Sequence, residues 1–132
     1  MKINTQQQIV NESQQVVFDF LMDMNNFEEL FPQDKIKEWQ ATEDSCSCEI
    51  KNMGKIGLKR VASTPHSLIY LDSTKTPFKF TLNLFIEAAG ENQSKAHLEF
   101  DAEINPFMKM MIEKPLTDFF NNLVLKLAHK FN

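Results

Sequence analysis

Glycine is scarce, with three residues in 132. Gly54, Gly57 and Gly90 are too few and too scattered to build a Gly-rich phosphate loop. Positive charge is also short: 14 basic against 18 acidic residues leave a net charge of −4 and a pI near 5.3. A chain with no basic field has little to hold a phosphate backbone, so no nucleic-acid partner is expected. No apolar run approaches the roughly 20 residues of a spanning helix, which predicts no integral membrane insertion. The first ten residues are polar and Gln-rich and lack the apolar core and small-residue cleavage site of a secretory signal, so a cytoplasmic protein is expected.

Cysteine appears twice, as Cys46 and Cys48. Two apart on a strand, they share a face at about 6.5 to 7 Å, at the edge of disulfide range and poorly oriented for one. They read as two small buried residues in a reducing compartment. Without two further nearby ligands they make no zinc site. The three histidines, His66, His97 and His129, are dispersed and form no cluster with metal-ligand spacing. No metal, no cofactor and no catalytic residue is expected.

What the chain does have is phenylalanine: 12, against one tyrosine and one tryptophan. Phe adds apolar volume with no hydrogen-bonding handle, so nearly all the aromatic surface serves apolar contact. With 42% hydrophobic residues and a mean hydropathy of −0.34, the composition is that of a packed domain with an apolar interior, one domain over residues 1–132.

Lys2 to Val10 reads as an opening strand with Ile3 and Ile9 on one face. Asn11, Glu12 and Ser13 then supply helix-start chemistry, and Val16, Val17, Phe20, Leu21 and Met24 recur at helical spacings. Phe27, Leu30 and Phe31 extend the pattern into a second short helix that Pro32 stops. From Lys35 to Ile104 six strands fit between turns at 43–44, 52–54, 64–66, 75–77 and 90–92. Alternation is plainest where Phe78, Phe80, Leu82, Leu84 and Ile86 share one face and Ala96, Leu98, Phe100, Ala102 and Ile104 another, as in an antiparallel meander wet on one side. After Asn105-Pro106 the period is helical to the end, with a kink expected at Pro115, whose missing amide leaves the Met111 carbonyl unbonded. The helix spans about 36 Å at 1.5 Å per residue, and the strand from Pro77 to Glu87 spans about the same. A sheet and a helix of equal span bury each other if the sheet curls around the helix.

This order of elements resembles the helix-grip fold of the START-like superfamily, also called SRPBCC, which includes birch pollen allergen relatives and polyketide cyclase-like proteins. The segments Val17-Phe18-Asp19-Phe20-Leu21-Met22-Asp23 and Phe27-Glu28-Glu29-Leu30-Phe31-Pro32 are similar to its paired short helices ending in proline. Asn105-Pro106-Phe107-Met108-Lys109-Met110-Met111, through Pro115-Leu116-Thr117-Asp118-Phe119-Phe120, resembles its small uncharacterised bacterial members, of Bacteroidetes type. The resemblance implies an α+β fold: a curved antiparallel sheet of about seven strands around a long C-terminal helix, with two short helices between the first two strands. It further implies a cavity between sheet and helix, used by many members for lipids, sterols or polyketides. It implies no single activity, because the scaffold hosts carriers, cyclases and chaperone activators.

Leu58, Phe78, Phe80, Leu82, Leu98, Phe100, Leu116, Phe119 and Phe120 converge on that space in this scheme, and they either fill it or line it. Met108, Met110, Met111 and Met53 fall where the mouth would lie, as flexible thioethers suited to an entrance or as ordinary filling. Arg60 shares parity with Ile56 and Leu58 and either meets a ligand carboxylate or reaches solvent at the rim. Tyr70 shares parity with Leu68 and either offers its hydroxyl to a ligand or bonds to backbone. The expected partner is a small hydrophobic or amphipathic ligand. The alternatives are a cyclase- or dehydratase-like enzyme, which needs an inward acid–base pair, and an interaction module of chaperone-activator type with a closed cavity and an exposed apolar patch.

Overall fold

The computed structural model describes every residue from Met1 to Asn132. The strands are β1 (Lys2–Asn4), β2 (Gln8–Val10), β3 (Ile36–Ala41), β4 (Ser45–Ile50), β5 (Gly54–Thr64), β6 (Leu68–Thr74), β7 (Phe80–Ala88) and β8 (Ser94–Ala102). Helix α1 (Gln14–Met22) is followed by a 3₁₀ turn (Met24–Glu29), and α2 (Pro106–Lys130) closes the chain. All strand pairs are antiparallel, in the order β1-β8-β7-β6-β5-β4-β3, with β2 also on β8. The sheet is curved around α2 in the expected helix-grip arrangement. No helix is long and apolar enough to cross a membrane.

The eighth strand arises because the opening strand is broken. Asn4 lies opposite Glu99 but Gln8 lies opposite Ala96, one residue out of step. The extra residue reverses the side-chain parity. Ile3 and Val10 are therefore buried, whereas Ile9, expected inward with Ile3, is 46% exposed. At the break Thr5 is buried, and its hydroxyl accepts the Leu98 amide at 2.8 Å while its own amide donates to the Leu98 carbonyl at 3.0 Å.

Helix α1 starts where Ser13 accepts the Val16 amide, and it buries Val17, Phe18 and Leu21, with Met24 following; Val16, expected inward, is exposed. The second short helix is a 3₁₀ turn, capped by the Asp23 carboxylate accepting the Asn25 amide. The six strands of the meander and their intervening turns fall where expected. Asn52 (φ 70°) and Gly54 (φ 94°) take left-handed conformations that tighten the β4–β5 turn. Gly57 is required for another reason: a Cβ there would lie 2.4 Å from the Thr74 carbonyl oxygen on the neighbouring strand.

Helix α2 is capped by Asn105, whose side chain accepts the Met108 amide at 2.8 Å, and runs through Pro115 without interruption. Its burial is lopsided. The first buried residue is Leu116, after which Phe119, Phe120, Leu123, Val124, Leu127 and Ala128 pack into the sheet. Residues 106–115 contribute none.

Candidate functional site

Seven aromatic rings form a chain of contacts across the interior. Trp39 of β3 meets Phe31 at 5.2 Å between centroids, and Phe31 meets Phe119 of α2 at 5.1 Å. Phe119 adjoins Phe120 (5.4 Å), which meets Phe100 of β8 (5.2 Å), then Phe80 of β7 (5.0 Å) and Phe78 (5.9 Å). Leu58, Leu82, Leu98, Phe100 and Phe120 are at most 1% exposed and belong to the packed core. They line neither the cleft nor the void described below. This part of the interior is filled.

Space beside the core lies toward the N-terminal half of α2. There the helix and the β4–β5 turn flank a cleft of about 470 Å3, lined by Ile50, Met53, Met111, Ile112, Pro115 and Phe119, with Pro32 behind. Asp34, Lys35, Lys51, Asn52, Asp118 and Asn122 form its polar rim. Ile50, Met53 and Ile112 also bound a void of about 30 Å3 that reaches inward between Ile56, Pro77, Phe78, Phe80 and Leu116. That void has the volume of one water molecule. The cleft itself is in the size range of small-ligand sites, about 300 to 1,000 Å3.

Lys35 and Lys51 are placed side by side by their backbones, the Lys51 amide donating to the Lys35 carbonyl at 2.8 Å. Neither side chain is in an ion pair, while Asp118 is paired with Lys114 at 3.6 Å. The only buried polar residues are Thr5 and Ser94, neither of which lines the cleft, and the charged residues that line it, Asp34, Lys35, Lys51 and Asp118, are not buried. The largest concavity, about 770 Å3, lies across β6, β7 and β8, where Asp72, Asp101, Glu103 and Lys79 make it a solvated groove.

Of the expected site residues, the structure brings Phe78, Phe80, Met111, Leu116 and Phe119 to the cleft and its inner void, together with Met53. Met108 is half-buried and borders neither. Arg60 faces the α1 side, where its guanidinium donates to the Met22 carbonyl and, at 3.0 Å, to the Glu43 carbonyl; it caps the end of α1 and does not reach the cleft. Tyr70 is a correction. Ile69 and Leu71 are the inward residues of β6, and Tyr70 is exposed on the outer face opposite Asn83. Its parity is ambiguous in sequence because Leu68, Ile69, Tyr70 and Leu71 are four consecutive apolar residues. Sequence reasoning missed Lys35, Lys51 and Ile112 as cleft residues, since they converge from a loop, a turn and a helix with no shared spacing.

The environment of the two thiols disfavours the thiolate. Cys46 and Cys48 are free and buried on the inner face of β4. Burial, with the neighbouring Cys48 adding to it, pushes the Cys46 thiol up to about 12, and burial alone pushes Cys48 up to about 11.

No protein-family model matches the chain, and a search of curated proteins finds no match by sequence. Solved structures match its shape closely. A truncated norcoclaurine synthase from Thalictrum flavum superposes with a TM-score of 0.77 at 8% identity, covering 98% of this chain and 92% of that one. A START superfamily protein from Mycobacterium smegmatis gives 0.71 at 12% identity, over 98% and 96%. BexL, a di-domain aromatase/cyclase of the BE-7585A biosynthetic pathway, gives 0.73 at 12% identity over 98% of this chain and 45% of its own. The chain therefore has the START-like, helix-grip fold. At these identities the likeness concerns architecture alone.

Proposed function

We propose that the protein binds a small apolar or amphipathic molecule in the cleft between the β4–β5 turn and the N-terminal half of α2. The observation that carries this reading is the cleft of about 470 Å3 floored by Ile50, Met53, Ile112 and Phe119 and rimmed by Lys35 and Lys51. In this reading the hydrocarbon lies along the apolar floor and leads toward the void at Leu116 and Phe80. Met53 and Met111 adapt to its shape, because thioether side chains are unbranched and flexible. Arg60 is already committed to two carbonyls, so the paired lysines at the rim take the role of orienting a polar head group. Burying about 300 Å2 of ligand hydrocarbon is worth about 7 kcal/mol at 25 cal/mol per Å2, before the cost of association. That supports reversible binding in the manner of a carrier.

The test is titration of the protein with a fluorescent fatty-acid analogue, in parallel with the Ile112→Trp variant, which fills the cleft from a half-buried position. Saturable binding by the native protein, weakened at least tenfold in the variant, is the expected outcome. Equal binding by both proteins, or none by the native one to fatty-acid, sterol or aromatic polyketide probes, overturns the reading.

A further inference from the structure

Twelve phenylalanines and seven methionines are present. Eleven of the phenylalanines are buried or half-buried, and Phe107 alone is exposed, at 74%. Met110 and Met111 are likewise the two exposed methionines, at 86% and 64%. The three are spaced i, i+3, i+4 at the start of α2, which puts them on one face of a helix. They occupy the ten-residue stretch that holds no fully buried residue and packs against the core through Ile112. Ile9, Val16, Val61, Tyr70 and Leu125 are also exposed, each at 52% or less, but only Phe107, Met110 and Met111 stand together on one helix face, and a contiguous group of large apolar side chains left in solvent marks a contact surface.

The surrounding charge says what the contact is. The β3 entry and the β4–β5 and β6–β7 turns lie at the same end of the sheet as this helix start, and they carry Lys35, Lys51, Lys55, Lys75 and Lys79, none of them in an ion pair. Lys109 and Lys114 flank the apolar face on α2 itself, each paired with an acid four residues on, Glu113 at 3.8 Å and Asp118 at 3.6 Å. The opposite end, with α1, the 3₁₀ turn and the other hairpin turns, holds Asp19, Asp23, Glu28, Glu43, Asp44 and Glu91. Asp34, Asp72, Asp101 and Glu103 lie at the lysine end too, so the contrast between the ends is one of degree: a chain of net charge −4 gathers five unpaired lysines around its exposed apolar residues. Three side chains expose too little area for a stable dimer, which needs about 800 Å2 per partner. Two copies meeting there would also bring their lysine collars together.

We infer that the first turns of α2 are a docking tip for an anionic bilayer surface. Phe107 and Met110 enter the boundary between head groups and acyl chains, and the ring of lysines faces the lipid phosphates. The charge separation along the molecule turns this end toward the surface on approach. The tip borders the cleft, since Met111 belongs to both, so a docked molecule presents its opening to the lipid. The inference stands whether or not the cleft holds a ligand, because it rests on the exposed stripe and the lysines.

Flotation with vesicles tests it. The native protein is expected to float with phosphatidylcholine vesicles containing 30% phosphatidylglycerol. It should bind pure phosphatidylcholine at least tenfold more weakly, and raising the salt from 50 to 500 mM should release it. The double variant Phe107→Ser/Met110→Ser, changed only at solvent-exposed positions, should lose at least tenfold in partitioning while its melting temperature stays within 2 °C. Absence of native protein from the anionic vesicles, or equal flotation of the double variant, overturns the inference. So does a concentration-dependent dimer in sedimentation that the double variant abolishes, since the stripe would then be a protein interface. Fatty-acid titration without vesicles reports on the cleft separately, so failure of one reading leaves the other measurable.

Discussion

Cys46 and Cys48 show how strongly environment sets the behaviour of a side chain. Both thiols titrate well above their ordinary range because burial disfavours the thiolate. The folded state therefore holds protons that the unfolded chain releases, and the stability this contributes is present below pH 9 and is lost as pH rises from 9 toward 12. Urea midpoints should fall above pH 9 more steeply for the native protein than for a Cys46→Ala/Cys48→Ala variant. A thiol reagent should label neither cysteine until the protein is denatured. Arg60 is the residue whose role the tertiary contacts decided. In sequence it is a cation that either meets a ligand carboxylate or reaches solvent at the rim; in the structure it ties the end of α1 to the β3–β4 turn. Arg60→Leu should lower stability by about 1 to 3 kcal/mol, read from urea denaturation, by leaving two carbonyls without their charged donor, with fatty-acid affinity unchanged.

Among the elements, regular ones were legible and their irregularities were not. The meander was readable because each strand between its turns alternates apolar and polar residues, most clearly from Phe80 to Ile86 and from Ala96 to Ala102. The break between Asn4 and Gln8 was not, because one added residue leaves composition unchanged and only the pairing with β8 exposes the slip. The same limit applies to α2. Its period predicts one apolar stripe over the whole length, yet the sheet covers it only from Leu116 onward. Pro115 sits at that boundary and removes the amide that would bond the Met111 carbonyl. Pro115→Ala should restore that bond and slow hydrogen exchange of the amides from residue 109 to 115 by at least fivefold, with little change beyond Phe120.

At the scale of the whole molecule, the phenylalanines divide by position. Those from Phe31 through Phe119, Phe120 and Phe100 to Phe80 form a closed wall, and the empty space begins where that wall ends, beside Phe78 and Met53. What the sequence by itself determined is the class of fold and the apolar character of its interior. Both follow from local period, turn residues and side-chain type, which act over a few positions. Whether the interior is filled or open was decided only in three dimensions, and so was the place of the lysines and the exposed stripe on one end. Volume, convergence and charge separation are sums over residues far apart in the chain: Lys35, Lys51 and Met111 meet because the sheet curls around α2, and no pattern along the sequence places them together.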